Sequence, residues 1–459
     1  MNILILGAGQ VGGTLARHLA SEAFDITVVD IDGTRLEELR QRLDIRTVQG
    51  HGSRPDVLRR AGVEEADMLI AVTPYDEVNM VACQVCYTMF QTERKIARIR
   101  EDSFHTRSSL FSSEHMPIDF VINPERVVTD QIKELLQRPG ALQVLDFADG
   151  RVKLVAMRAR EDGPLVGSQL RSLRSRIPNA DTRVAAIFRR DRAMLPEGDT
   201  TIEAEDEVFF IAATEHINDV MAALRQAERP YKRVVVAGGG RIGEYLARAI
   251  ETSFSVKVIE HDEGRANQIA QRLESAVVIH GDATDRELLL QENIERVDVF
   301  CAVTNDDEVN IMSSLLAKQL GVRQVMTLIG KPAYIDLVVG REIDIAISPQ
   351  LATTSMILAH VRRGDVTQVH SLRRGAAEAM EAVVHGGAKI GKVIGQRLGS
   401  LPLPAGTTIG AIVRDDEVLI AHDDVVVESE DHVILFLTDR RQRRIAEVGR
   451  LFQADPSFI

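Results

Sequence analysis

One pattern occurs twice in this chain, and it limits what the chain can fold into. The first copy runs MNILILGAGQVGGTLARHLASEAFDITVVDID from Met1, and the second runs RVVVAGGGRIGEYLARAIETSFSVKVIEHD from Arg233. Gly238, Gly240 and Gly243 each follow Gly7, Gly9 and Gly12 by 231 positions. The match continues downstream. Gly50-His51-Gly52-Ser53 aligns with Gly281-Asp282-Ala283-Thr284, and AVTPYDEVN from Ala71 aligns with AVTNDDEVN from Ala302. Similarity at one fixed offset over such distances marks a tandem repeat of one large unit.

Each copy reads as strand, glycine turn, helix, strand, acid. NILIL is an apolar run of strand length, and Val11, Leu15 and Leu19 recur at helical spacing. Gly7 permits a tight turn out of the strand. Gly9 leaves the backbone open to a pyrophosphate, and Gly12 lets the helix lie close on the sheet. The helix N-terminus then offers free N–H groups and its positive dipole end to phosphates. Asp30, 18 positions after Gly12, stands where a carboxylate accepts hydrogen bonds from ribose hydroxyls, and Glu260 takes that place in the second copy. The competing reading is that the glycines serve close packing alone.

The strand-like runs of the first unit are 2–6, 26–29, 46–48, 68–72, 96–99 and 120–122, with helical patterns between them. Such alternation predicts a parallel sheet with helices on both faces. Residues 124–138 read as a helix leaving that sheet, ended by Pro139-Gly140. Beyond Ala141 the texture turns to short β-rich pieces at 152–157, 184–188 and 208–211, with one helix expected over 166–176. This part repeats too, TRVAAIFR at Thr182 resembling TTIGAIVR at Thr407. The expected fold is α/β: two tandem Rossmann-like, doubly wound parallel sheets, each followed by a small α+β domain. The boundaries are 1–123, 124–140 (linking helix), 141–228, 232–348, 349–366 (linking helix) and 367–453.

Thr73 and Thr304 follow the fourth strand of each unit, at the sheet edge where doubly wound folds bind ligands. Their hydroxyls suit ribose or phosphate, or else cap the following helix. Arg98 and Arg100, at the end of the fifth strand, suit a phosphate fork or a surface salt bridge. The second unit has Ile329 and Lys331 there instead. Cys83 and Cys86 lie in an apolar helical stretch, matched by Ser314 and Ala317, and read as core. Asp76-Glu77 and Asp306-Asp307-Glu308 open helices and suit the helix dipole. No metal site and no catalytic set shared by the two units stands out. An NAD-dependent oxidoreductase, the alternative function, rests on fold analogy alone.

A net charge of −13 argues against a nucleic-acid partner. No apolar run approaches the ~18 residues of a membrane span. Three cysteines and an N-terminus that enters a strand directly suggest a reducing cytoplasm with no signal peptide.

The stretches GAGQVGGTLA, ITVVDID, VQGHGS, DEVNMVACQVC and ARIR, with GGGRIG, FCAVTNDDEVNIMSSLLAK, DIAISPQ, SLRRG and TIGAIVR, resemble the TrkA family of Trk system potassium uptake proteins over essentially the whole chain. The resemblance implies a non-enzymatic regulatory subunit with two regulator-of-potassium-conductance units. It would bind NAD(H) and ATP or ADP and assemble as a ring, a homotetramer. That ring would gate a membrane-embedded Trk potassium channel subunit of the TrkH or TrkG type. Its location would be cytoplasmic, peripheral on the inner membrane through that partner. It also implies site residues: Gly7, Ala8, Gly9, Gln10, Val11, Gly12, Asp30, Thr73, Pro74 and Arg98 in the first unit, and Gly238, Gly239, Gly240, Arg241, Ile242, Gly243, Glu260 and Thr304 in the second. The second departs at Asn305 for Pro74, Ile329 for Arg98 and Asp282 for His51.

Overall fold

A computed structural model describes residues 1–20, 24–105, 108–178, 180–190, 192–224, 229–338, 342–361, 366–373, 376–385 and 393–438. The first repeat builds β1 (Asn2–Leu6), α1 (Gln10–Ala20), β2 (Asp25–Asp30), α2 (Gly33–Arg42), β3 (Arg46–Gln49), α3 (Pro55–Arg60), β4 (Met68–Ala71), α4 (Asp76–Phe90), β5 (Arg94–Arg98) and β6 (Phe120–Ile122). These strands form one parallel sheet in the order β3-β2-β1-β4-β5-β6. The order reverses at β1, so the crevice above its carboxyl end is the topological switch point. That β1 is central explains its composition: Ile3, Leu4, Ile5 and Leu6 are all buried, as a strand covered on both faces must be.

The chain continues through α5 (Pro124–Gln137) into β7 (Ala141–Phe147), β8 (Val152–Arg158), α6 (Leu173–Arg176), β9 (Thr182–Arg189), β10 (Arg192–Met194), β11 (Glu207–Ala213) and α7 (Ile217–Leu224). Here the sheet is antiparallel, β10-β9-β11-β8-β7. The helix expected over 166–176 is reduced to a single 3-10 turn and the four-residue α6. Its first part is taken by other bonds: Gly167 N–H donates to Ile202 O (2.8 Å) and Leu170 N–H to Thr200 O (3.0 Å), while Gly167 sits at φ +78°. The spacing did not indicate β7, whose buried positions fall every third residue: a bulge between Ala141 and Gln143 brings Ala141 and Val144 into one core, and Phe147 is buried in another.

The second repeat follows the same plan with β12 (Arg233–Ala237), α8 (Arg241–Ile250), β13 (Ser255–Glu260), α9 (Glu263–Ala270), β14 (Val277–His280), α10 (Arg286–Gln291), β15 (Val299–Ala302), α11 (Asp307–Gln319), β16 (Gln324–Leu328), α12 (Pro332–Val338) and β17 (Ile345–Ile347). Its parallel order β14-β13-β12-β15-β16-β17 copies the first. Then come α13 (Pro349–Val361), β18 (Val366–Leu372), β19 (Ala377–Val383), β20 (Thr407–Arg414), β21 (Glu417–Ile420) and β22 (His432–Leu437), in the antiparallel order β18-β19-β22-β20-β21.

The two linking helices belong to different compact units over most of their length. Val128, Ile132, Leu135 and Leu136 of α5 share a core with Val234, Val236 and Leu246 of the second repeat. The first part of α13, residues 349–358, belongs instead to the compact unit of residues 1–127. The two small sheets face each other, with Phe147, Phe188 and Phe209 of one packed with Leu372, Ala379 and Phe436 of the other. Among the described residues no helix is long and apolar enough to cross a membrane.

Candidate functional site

The chain leaves β1 through Gly7, whose N–H donates to Val29 O (2.8 Å) and whose φ is +105°. A Cβ at Gly12 would stand 1.9 Å from Gly7 O. The second turn repeats this, with φ +104° at Gly238 and 1.8 Å between a Cβ at Gly243 and Gly238 O. The outer glycines of each motif are therefore required by packing, as the competing reading held. The middle glycines are not. A Cβ at Gly9 would meet only Arg35 Nη1, at 4.0 Å, and one at Gly240 would meet nothing within 4 Å. Each middle glycine leaves an open cradle at a helix N-terminus, which suits an approaching phosphate and which packing does not explain.

The strand-end acids are anchored beside these turns. Asp30 accepts from Ala8 N–H (2.5 Å) and from Asp32 N–H (2.8 Å). Glu260 accepts from Gly239 N–H (2.6 Å) and Asp262 N–H (2.8 Å). Each carboxylate is thus fixed in direction and keeps lone pairs for ribose hydroxyls. Val11 and Ile242 are half buried on the inner faces of α1 and α8, while Gln10 and Arg241 stand at the exposed helix starts. Gln10 Oε1 accepts from Gln350 Nε2 of α13 at 2.5 Å.

Thr73 adjoins the first turn, its N lying 3.2 Å from where a Gly7 Cβ would stand. It does not cap α4: the N-cap position is Tyr75, and Asp306 caps α11 in the second repeat. Thr73 Oγ1 donates instead to Asn79 Oδ1 (2.7 Å), as Thr304 does to Asn310 (2.7 Å). Asn79 is fully buried. It also accepts from Thr73 N–H and donates to Thr73 O and Arg98 O, tying the ends of β4 and β5 together. Asn310 does the same through Thr304 O and Leu328 O. The sequence analysis overlooked both, although an asparagine repeated on the inner face of a helix is a signal of buried polar duty. Pro74 and Asn305 are exposed beside them.

The arginines form neither a free phosphate fork nor a surface pair. Arg100 Nε is 2.6 Å and Arg98 Nη2 is 3.7 Å from Glu125 Oε1, and the Glu125 side chain is only 7% exposed. Asp76 does more than face the helix dipole: it is buried and accepts from the N–H groups of Arg100 and Glu101, both at 2.9 Å. In the second repeat Ile329 is buried, and Lys331 pairs with the exposed Glu308 (2.8 Å). That contact and Tyr334 hold the Glu308 carboxyl down at about 2. Burial pushes the thiols of Cys86 and Cys301 up to about 12 and Cys83 higher still, so all three stay protonated packing residues. Among the described residues no three His, Cys, Asp or Glu side chains are grouped to hold a metal.

The family model described as TrkA-N domain matches residues 3–124 and 234–349, and the TrkA-C domain model matches 154–225. The Trk system potassium uptake protein TrkA of Halomonas elongata is 61% identical over 459 residues, covering all of both chains. That of Vibrio alginolyticus is 54% identical, again over both whole chains. The solved structure titled "Crystal Structure of the GsuK RCK domain" aligns with a TM-score of 0.61 at 19% identity, over 98% of this chain and 95% of that one. One titled "GsuK channel bound to NAD" gives 0.61 at 18%, over 97% and 78%.

Proposed function

The chain belongs to the TrkA family of Trk system potassium uptake proteins, and from that premise we propose that it is the nucleotide-responsive regulator of a potassium channel subunit in the membrane. Its ligands are NAD(H) and the adenine nucleotides ATP and ADP, bound at the two glycine turns and not turned over. One observation carries the reading: both repeats keep an open cradle over the middle glycine, beside an anchored strand-end acid. The first site is formed by Gly7 to Gly12, Asp30, Thr73, Pro74 and Arg98, and the second by Gly238 to Gly243, Glu260 and Thr304. On this reading the chain divides into nucleotide-binding units at 1–123 and 232–348, linking helices at 124–140 and 349–366, and small domains at 141–228 and 367–453.

On this reading the chain acts on flux through a partner, a Trk channel subunit of the TrkH or TrkG type, on the cytoplasmic side of the inner membrane. Duplicated units that share a fold can pack pseudo-symmetrically, and symmetric packing can close into a ring, here a tetramer. The bond from Gln350 to Gln10 gives α13 a direct reading of the first turn. A ligand shifts such a device only by its differential affinity for two states.

The test is potassium flux in vesicles carrying the channel subunit and either the native chain or Gly9→Val. Valine at Gly9 fills the cradle without touching the packing glycines. The variant is expected to bind the partner normally and to lose the response to nucleotide. A normal nucleotide response in the variant would overturn the proposal.

A further inference from the structure

The two turns differ most in one side chain. Glu244 of α8 stands where the first repeat has Gly13. Its buried carboxylate is held by Arg248 (2.9 Å), Arg265 (2.6 Å) and Arg272 (3.2 Å). Arg265 is doubly committed, because its Nε also donates to Gly239 O in the turn (2.9 Å).

The first-repeat counterpart of Arg265 is Arg35. Each lies three residues after the aspartate that caps its helix, Asp32 or Asp262. With no carboxylate at position 13, Arg35 takes another course. Its Nη1 reaches to 4.0 Å from the open cradle of Gly9. Its ion pair is to Asp32 at 3.2 Å, and its side chain is 58% exposed. Exposed pairs of this kind hold weakly, so the guanidinium is available to a phosphate in the cradle, where a charge-assisted fork is strongest.

We propose that Arg35 is a phosphate-binding arm of the first site and that Glu244 withdraws the equivalent arm from the second, so that Glu244 sets the second site's weaker hold on diphosphate nucleotides. The inference rests on reading the glycine turns as nucleotide sites. Glu244 is a positioning residue: it acts through Arg265. The two sites therefore read the nucleoside alike and the phosphates differently.

The exchange of one residue tests this, because position 13 accepts a Cβ without a clash. A Cβ at Gly13 would meet Leu39 at 3.6 Å and Ala8 O at 3.7 Å, ordinary contacts at an ordinary φ. A glycine inside a helix also gives up nothing when replaced by a better helix former. ADP and adenosine are titrated into the full chain by calorimetry, with the other turn closed by valine at its middle glycine. Gly13→Glu is expected to weaken ADP at the first site about tenfold, the scale of one charge-assisted contact, and to leave adenosine unchanged. Gly13→Gln, equal in size and neutral, should keep native ADP affinity. Arg35→Ala should lose as much as Gly13→Glu, and the double variant no more than either. Glu244→Ala should tighten ADP at the second site by a similar factor. Native ADP affinity in Gly13→Glu overturns the inference while leaving the nucleotide sites standing. Equal losses of ADP and adenosine, or equal losses in the Gln and Glu variants, also overturn it. A native chain that binds no ADP at either turn overturns the sites and the inference together.

Discussion

The first and second glycine turns share a backbone and differ in charge. Gly7 and Gly238 have φ values one degree apart, and Gly12 and Gly243 press equally close on them. Yet the first turn faces a half-exposed arginine, and the second faces a buried carboxylate that gathers three. The backbone of such a turn is set by sterics at its outer glycines, which tolerate no substitution. On the proposed reading, its ligand preference is set by surrounding residues such as Arg35 and Glu244, which those sterics leave free to vary. Duplication thus preserves the cradle while the chemistry around it diverges.

The sterics give the largest expected effect. Gly12→Val and Gly243→Val each place a side chain against a carbonyl oxygen under 2 Å away. Each is expected to cost about 3 kcal/mol of stability, at the upper end of overpacking effects. Chemical denaturation of each variant measures it. A variant at either position with native stability would break the claim that both turns obey one steric requirement.

Asp30→Ala and Glu260→Ala probe the acids next. Loss of charge-assisted bonds to ribose is expected to weaken NADH binding by about 1–3 kcal/mol at the altered turn. Asp30 should also make the first site prefer NADH to NADPH, since a 2′-phosphate would meet the carboxylates of Asp30 and Asp32. Calorimetry with both cofactors sharpens the comparison: two classes of site are expected, and one class would erase it.

How much of this was legible in the sequence follows from where each signal lies. The two parallel sheets were, because central strands buried on both faces write themselves as apolar runs such as Ile3 to Leu6. The repeat gave the second sheet at once. The glycines and acids were legible because they are local to one turn. The roles of Asn79, Arg35 and Glu244 were not, since each depends on a partner brought close only by folding, such as Arg98 O for Asn79 at 2.8 Å. The helix expected over 166–176 failed for a similar reason. Its N–H groups bond to residues 200 and 202, a competition that periodicity does not register. Glu125, in the first turn of α5, meets Arg100 only once folding brings the two together.

The smallest expected effect extends the comparison to the small domains. His370 on β18 stands where β7 has Leu145, and its ring meets Phe147 edge-on at a centroid distance of 5.0 Å. The ring is half-buried, with Nε2 3.1 Å from Gln368 Oε1, and desolvation lowers its pKa below the ordinary 6.5. Nearby Asp146 and Glu381 oppose that shift without cancelling it. The sign follows from proton counts. As pH falls through 6.5, the unfolded chain takes up a proton that the folded chain refuses, so stability falls with it. The loss levels off below the folded-state value, where both forms are protonated. His370→Leu restores the residue of the first repeat and removes this term. The native chain is therefore expected to lose thermal stability between pH 7 and 5 more steeply than His370→Leu, with the two curves converging in slope above neutral pH. Parallel curves across the whole range would show that the histidine is as neutral a packing unit as the leucine it replaces.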